Sequence, residues 1–288
     1  MRTKAHSPAP WRPTEDPPWV RRALLAVALA FLTLFLLLPA AAVLWEAFRA
    51  GLGPWLGAVL APDARAAVRL TLLVAAVAVP LNTVFGLAAA WSTTRYRFPG
   101  KNLLLSLIDL PSTVSPVVAG MCVVLLFGVK SPLGAFLVAH RLPVVFATPG
   151  IVLATVFVTF PLVARELIPF MQVQGTEEEE AALVMGANGL QILRRITLPN
   201  VRSSLFYGVV LSNARAMGEF GAVSVVSGHI RGATNTIPLQ VEALHDDYAF
   251  QASFALASLL FLLALATLLA KQAMLWLRRR ERSAWGEP

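Results

Sequence analysis

Charge is scarce in this chain of 288 residues, and cysteine is nearly absent. Only 14% of the residues are Asp, Glu, Lys or Arg, whereas 57% are hydrophobic. Soluble domains carry about a quarter charged residues, so a water-soluble globule is excluded. The single cysteine, Cys122, lies inside an apolar run, so no internal disulfide can form and simple packing accounts for it. No phosphate-cradling P-loop is present, and the chain is not expected to bind or hydrolyse ATP. His6, His140, His229 and His245 all fall in tails or loops, which leaves no helical histidine pair for a zinc protease. Asp246-Asp247 reads as a solvated loop rather than a metal or catalytic pair. Neither an internal repeat nor a low-complexity domain is evident.

What the chain has in quantity is long apolar runs. Read against the polar breaks, they give six candidate membrane helices, at Ala23–Leu44, Val68–Trp91, Leu103–Val129, Val144–Val163, Leu205–Val226 and Ala252–Leu277. The first follows Arg21-Arg22 and ends near Pro39-Ala40-Ala41-Ala42, which resembles a signal peptide with a small-residue cleavage site. Its apolar length of about 22 residues suits a span, so it is taken as an uncleaved first helix. The expected organisation is a flexible proline-rich tail at 1–20, a six-helix membrane domain at 21–280, and a short tail at 281–288.

Basic residues orient the spans. The two tails and the loops at 92–102 and 165–204 hold 17 Lys and Arg, with Lys271 counted in the C-terminal tail. The opposite loops hold five: Arg49, Arg65, Lys130, Arg141 and Arg231. The positive-inside rule places both termini and the 165–204 loop in the cytoplasm. The net charge of +8 is thereby explained without nucleic acid.

That cytoplasmic loop is unusually long and polar. Thr176 is placed as an N-cap with Glu179 at the third helical position, and Glu177 to Glu180 suit the positive end of a helix dipole. Glu177 to Glu179 read as a solvated run. Ala181 to Met185 offer small and apolar surface, and Gly186 ends the helix where a positive φ favours glycine. Pro199 reads as the start of the next helix after an extended residue.

Two groups of polar residues lie inside apolar runs. Asn213, Arg215 and Glu219 sit in the fifth, where Arg215 and Glu219, four apart, suit an ion pair. Charge at that depth is a functional hypothesis by default. The alternatives are direct contact with an anion in a pathway and a neutralising pair that fixes packing. Ser112, Thr113 and Ser115 flank Pro111 and Pro116 in the third run, where they suit either a bent gate segment or a kink satisfied by its own hydroxyls. Asn82, in the second run, reads as interhelical packing.

The loop also carries a spaced pattern: Glu180-Ala181-Ala182, three residues, Gly186, nine residues, Ile196, one residue, Leu198-Pro199. It resembles, at every fixed position, the EAA motif of ATP-binding-cassette (ABC) importer permeases. A narrower likeness runs over about 155–250. Phe160-Pro161-Leu162-Val163-Ala164-Arg165-Glu166-Leu167, Asn213 through Gly228, Ile230-Arg231-Gly232, Pro238-Leu239-Gln240 and Asp247-Tyr248 resemble the W-type permease of bacterial sulfate/thiosulfate importers. Ala233 departs from it, since an acidic residue is expected there.

The resemblance implies an all-α integral membrane protein of the bacterial inner membrane, with six transmembrane helices and a cytoplasmic coupling helix within about 174–204, like type I ABC importer permeases. It assigns ATPase coupling to Glu180, Ala181, Ala182, Gly186, Ile196, Leu198 and Pro199. The implied partners are a T-type permease, two ATPase subunits that bind ATP and Mg, and a periplasmic sulfate-binding protein. The close alternative is a homodimeric molybdate or tungstate permease.

Overall fold

The computed structural model describes residues 18–284. Most of the expected N-terminal tail and residues 285–288 therefore lie outside the described residues. Residues 18–20 already form a helix start, and residues 281–284 continue the last helix.

Among the described residues every regular element is helical. α1 (Pro18–Leu32) passes through a π segment (Thr33–Leu37) into α2 (Leu38–Phe48). There follow α3 (Leu52–Val59), α4 (Pro62–Arg95), α5 (Lys101–Thr113), α6 (Pro116–Phe127), α7 (Pro132–Ala139) and α8 (Thr148–Gln174). The polar loop holds α9 (Glu177–Val184), α10 (Gly189–Ile192) and a second π segment (Leu193–Thr197). The chain continues through α11 (Leu198–Met217), α12 (Gly221–Ser227), α13 (Ile237–Asp246) and α14 (Phe250–Ala284).

Four of these stretches are long and apolar enough to cross a membrane: Trp19–Phe48, Pro62–Arg95, Thr148–Gln174 and Phe250–Leu269. A fifth arises if α5 and α6 are taken together, although they meet at 106°. The expected third run is thus sharply broken. Pro116 clashes with helical backbone at the preceding residue, and Ser115 accordingly takes ψ of 134°, next to Val114 at ψ of 139°. The expected fifth run is also corrected, because α11 ends at Met217 and helix resumes only at Gly221.

Proline also explains the two π segments. Each ends two residues before a proline, Pro39 in one case and Pro199 in the other. A helical proline lacks an N–H and its ring crowds the carbonyl four residues back. Leu38 and Leu198 instead bond back five residues, to the Thr33 and Leu193 carbonyls, and the wider turn accommodates the ring. Pro199 therefore does not follow an extended residue: Leu198 is helical, with φ −60° and ψ −44°.

The centre is a trio of α4, α8 and α11. Small residues allow close approach, and a Cβ added to Gly86 of α4 would stand 2.7 Å from Val163 Cβ of α8. At Gly208 of α11 it would meet Val163 Cα at 3.1 Å. One apolar cluster, Leu70, Val74, Ile151, Val223 and Leu239, holds the end remote from the polar loop, and Ala90, Val163, Leu167, Met171 and Val201 hold the near end. Asn82, fully buried, donates to Thr159 Oγ1 at 2.6 Å and joins α4 to α8, as its placement suggested. By contrast, the most apolar window of Trp19–Phe48 buries nothing within the chain.

Gly86→Val should force α4 away from α8 and cost about 1–3 kcal/mol. A thermal melt of the detergent-purified protein checks this, and an unchanged midpoint would contradict the close α4–α8 contact.

Candidate functional site

The polar loop forms a compact module. α9 is an eight-residue helix, too short to be stable in isolation, so its order depends on its ends. At its C-terminus Gly186 has φ +87°, donates to the Leu183 carbonyl at 3.0 Å, and lets Ala187 donate to the Ala182 carbonyl at 3.0 Å. These two bonds are a Schellman closure, which satisfies carbonyls the helix leaves unpaired. An added Cβ at Gly186 would meet nothing within 4 Å, so glycine is needed for its backbone and not for space.

The N-terminus departs from expectation. Thr176 is the N-cap residue, but its hydroxyl makes no cap bond and donates instead to Glu180 Oε1 at 2.6 Å. Glu179 turns inward rather than back toward the cap. Its Oε2 stands 2.7 Å from Arg95 Nε, while Oε1 accepts from Arg95 Nη2 at 2.9 Å and from Thr197 Oγ1 at 2.7 Å. The side chains of Arg95 and Glu179 are only 7% and 11% exposed, so Glu179 does not belong to the solvated run. Glu178 accepts from Asn200 at the surface, and Glu177 is exposed. The capping box falls one helix later, where Asn188 Oδ1 accepts from Gln191 N at 2.9 Å and Gln191 Oε1 from Asn188 N at 2.8 Å.

Held at both ends, α9 buries only Ala182 and turns Leu183, Val184 and Met185 outward. Glu180, Ala181 and Pro199 are exposed, while Ile196 and Leu198 are half-buried beside them. A shallow cleft of about 400 Å³ runs along this surface between Ala182, Gly186, Arg195 and Ile196. The spaced residues thus come together in one exposed module.

The second group of candidates gathers at the two helix breaks. Arg215 Nη1 lies 2.7 Å from Glu219 Oε2, with Arg215 at 41% exposure and Glu219 at 1%. Glu219 lies past the end of α11, and its Oε1 accepts from Ala222 N at 3.0 Å. One buried carboxylate therefore neutralises the arginine and also satisfies a free N–H of α12. Asn213 is half-buried on the preceding turn. The break at Val114 and Ser115 abuts this one, since a Cβ on Gly221 would stand 3.0 Å from Pro116 Cβ. Of the three hydroxyls, Thr113 donates to the Leu110 carbonyl at 2.8 Å, whereas Ser112 and Ser115 are exposed.

Three pairings escaped the sequence reading. Arg95 was counted only as a basic loop residue, and nothing in the spacing links it to Glu179, 84 positions away. Arg165 Nε meets Asp109 Oδ1 at 2.6 Å and joins α8 to α5. On the face remote from the polar loop, Arg231 Nη1 meets Asp247 Oδ2 at 2.6 Å, so Asp247 is a paired residue and not simply a solvated one. The hydrogen bond from Arg231 holds the Asp247 carboxyl below its usual value, with burial opposing it and the arginine charge reinforcing it.

The fold is thus an all-helical domain with four or five membrane-length stretches and a short, exposed helix held at both ends on one face. Residues 82–283 match the model of the binding-protein-dependent transport system inner membrane component family, and the chain belongs to that family. It is 49% identical over 270 residues to the sulfate transport system permease protein CysW of Escherichia coli (strain K12), covering 93% of each chain. It is 38% identical over 244 residues to the sulfate transport system permease protein CysT of Salmonella typhimurium, covering 85% of this chain and 88% of that one. Among solved structures, a chain of a bacterial alginate ABC transporter, crystallised with an alginate pentasaccharide-bound periplasmic protein, shares the fold. Its TM-score is 0.73 at 16% identity, over 89% of this chain and 93% of that one.

Gly186→Ala should cost roughly 1–2 kcal/mol at the end of α9, because the left-handed backbone crowds a Cβ. Faster hydrogen exchange at residues 186–187, with less effect from Gly186→Asn, is the expected result. For Arg231–Asp247 the sign follows from a depressed carboxyl. Its contribution is complete above about pH 4, the ordinary aspartate value, and is lost as pH falls through the lowered one. Hydrogen-exchange protection of residues 228–236, corrected for intrinsic rates, should therefore be level from neutral pH to about 5. At neutral pH it should drop in Asp247→Asn.

Proposed function

We propose that this chain is a permease subunit of an ATP-driven importer of sulfate and thiosulfate and forms part of the anion pathway. It pairs with a T-type permease, two ATPase subunits that bind ATP and Mg, and a periplasmic sulfate-binding protein. The substrate assignment is supported by 49% identity to a CysW sulfate permease across 93% of both chains. A match to CysT at lower identity supports two different permeases in one assembly.

One observation carries the mechanism: α9 presents Leu183, Val184 and Met185 to the outside while both its ends are fastened. Apolar side chains on a cytoplasmic loop suit burial in a partner's groove, where most docking energy arises, whereas exposed ion pairs add little. In this reading α9 is the coupling helix, and Glu180 to Gly186 with Ile196 to Pro199 form the ATPase contact. ATP-driven closure of the ATPases displaces it, and packed helices carry the motion to a pathway that opens to each side in turn.

Six crossings belong to the same reading. α5 with α6 supplies the third as a bent span, and α11 with α12 the fifth. The 20 residues of α11 rise about 30 Å, the thickness of a hydrocarbon core. The basic bias then places both termini and α9 in the cytoplasm of a bacterial inner-membrane protein. In this reading Arg215, Glu219, Asn213, Ser112, Thr113 and Ser115, which lie at or near the breaks at 114–115 and 218–220, are the pathway or gate residues. Because Glu219 already neutralises Arg215, anion selection falls mainly to the binding protein.

Labelled sulfate uptake in cells lacking only this chain should return when it is restored, and molybdate uptake should not. Return of molybdate alone would overturn the substrate assignment in favour of the homodimeric alternative. Glu180→Lys, or a bulky residue at Gly186, should abolish uptake at normal protein level while the assembled ATPase still turns over. Normal uptake in both would remove α9 as the coupling element.

A further inference from the structure

Around α9 the only buried side-chain polar attachment among the described residues is the cluster of Arg95, Glu179 and Thr197. Arg95 is the last residue of α4, Glu179 lies in α9, and fully buried Thr197 closes the second π segment ahead of α11. Arg95 also donates through Nη1 to the Met171 carbonyl at 3.3 Å, in the last turn of α8. Four segments therefore meet on one carboxylate and one guanidinium. The remaining polar contacts of α9, Thr176 to Glu180 and Asn200 to Glu178, are at the surface.

α4 is also held toward its other end. Thr71 Oγ1, buried, accepts from Ile237 N at 2.8 Å where α13 begins. Asp63, in the first turn of α4, lies against the Gly232 turn, within 3.3 Å of where its Cβ would be. Between these ends α4 runs as one helix of 34 residues, about 50 Å long. A displacement of α9 has a rigid route to the far face only if its inner end is gripped.

We propose that Arg95 and Glu179, seated on Thr197, are the positioning residues that transmit movement of α9 to α4 and α8. The proposal rests on the coupling reading above and adds the element that conveys the stroke. Burial suits the task, because a paired charge held by several hydrogen bonds has one geometry, whereas a solvated pair has many. It also explains why the second glutamate run member from the end points inward while its neighbours reach solvent.

The test uses the complete importer reconstituted in lipid nanodiscs or vesicles, with labelled sulfate transported per ATP hydrolysed as the readout. Glu179→Gln should lower that ratio by about tenfold or more in the assembled complex, as expected when a bond to a charged partner is lost. Glu179→Asp, which keeps the charge on a shorter arm, should fall between. A spin-label pair, Val184→Cys and Ala233→Cys in a Cys122→Ala background, should change separation on ATP binding. Glu179→Gln should suppress that change. A merely structural role would lower yield and melting temperature but leave transport per ATP and the distance change as in the parent, and that result would overturn the proposal. Should Glu179→Gln not assemble, Thr197→Val removes one hydroxyl from the same cluster. It should lower the ratio in the same direction, and an unchanged ratio there would equally overturn the idea. A parent complex with no ATP-dependent sulfate uptake would instead remove the underlying function.

Discussion

In a hydrocarbon layer no water is available to accept a bond that a helix fails to make. This constraint governs how the chain handles its prolines, and through them its shape. Where Pro39 and Pro199 follow uninterrupted helix, the turn widens to a π segment and the chain runs on. Where Pro116 follows Val114 and Ser115, the helix breaks outright and re-enters at 106°. The break at Gly218 to Phe220 has no proline, and Glu219 supplies the missing acceptor for Ala222 N. The unbroken helices α4 and α8, with α11 packed on both, thus make the frame.

Charges are few in this chain, and four ion pairs among them mark its junctions. Arg215 is matched by Glu219, Arg165 by Asp109, Arg231 by Asp247 and Arg95 by Glu179. Three of the four join different helices or loops, so each is as much a fastening as a charge. Only the Arg95–Glu179 pair is buried on both sides, and it sits where the polar loop meets the membrane helices. Membrane packing without a solvent-driven collapse relies on small residues and such polar contacts, as Gly86, Gly208 and Asn82 illustrate.

Much of the frame was legible in the residues. Hydropathy located the stretches that became α1 with α2, α4, α8 and α14, because length and apolarity are summed over many positions. Gly186 was legible for a local reason, since a helix that stops in the left-handed region favours glycine. The broken third and fifth runs were not, because hydropathy counts apolar residues and is blind to backbone direction. Pro116 marked one break, but Glu219 gave no sign that it would cap a second helix rather than continue the first. Thr176 stands at the N-cap as expected, but the reciprocal cap bonds do not form, because the partner that captures Glu179 comes from α4. Long-range pairs of this kind leave no periodicity in one sequence.

A consequence follows from how α9 is secured. Its eight residues owe their helical form to what lies at the two ends, the Arg95–Glu179–Thr197 cluster and the turn at Gly186. The outward positions between them, Leu183, Val184 and Met185, contribute little to holding the helix together. Residues that face outward are thereby separated from residues that maintain the fold. Such a segment can drift in sequence and acquire a different partner without first losing its structure. Lineages that duplicate a permease gene can then diversify this exposed surface at small cost to folding.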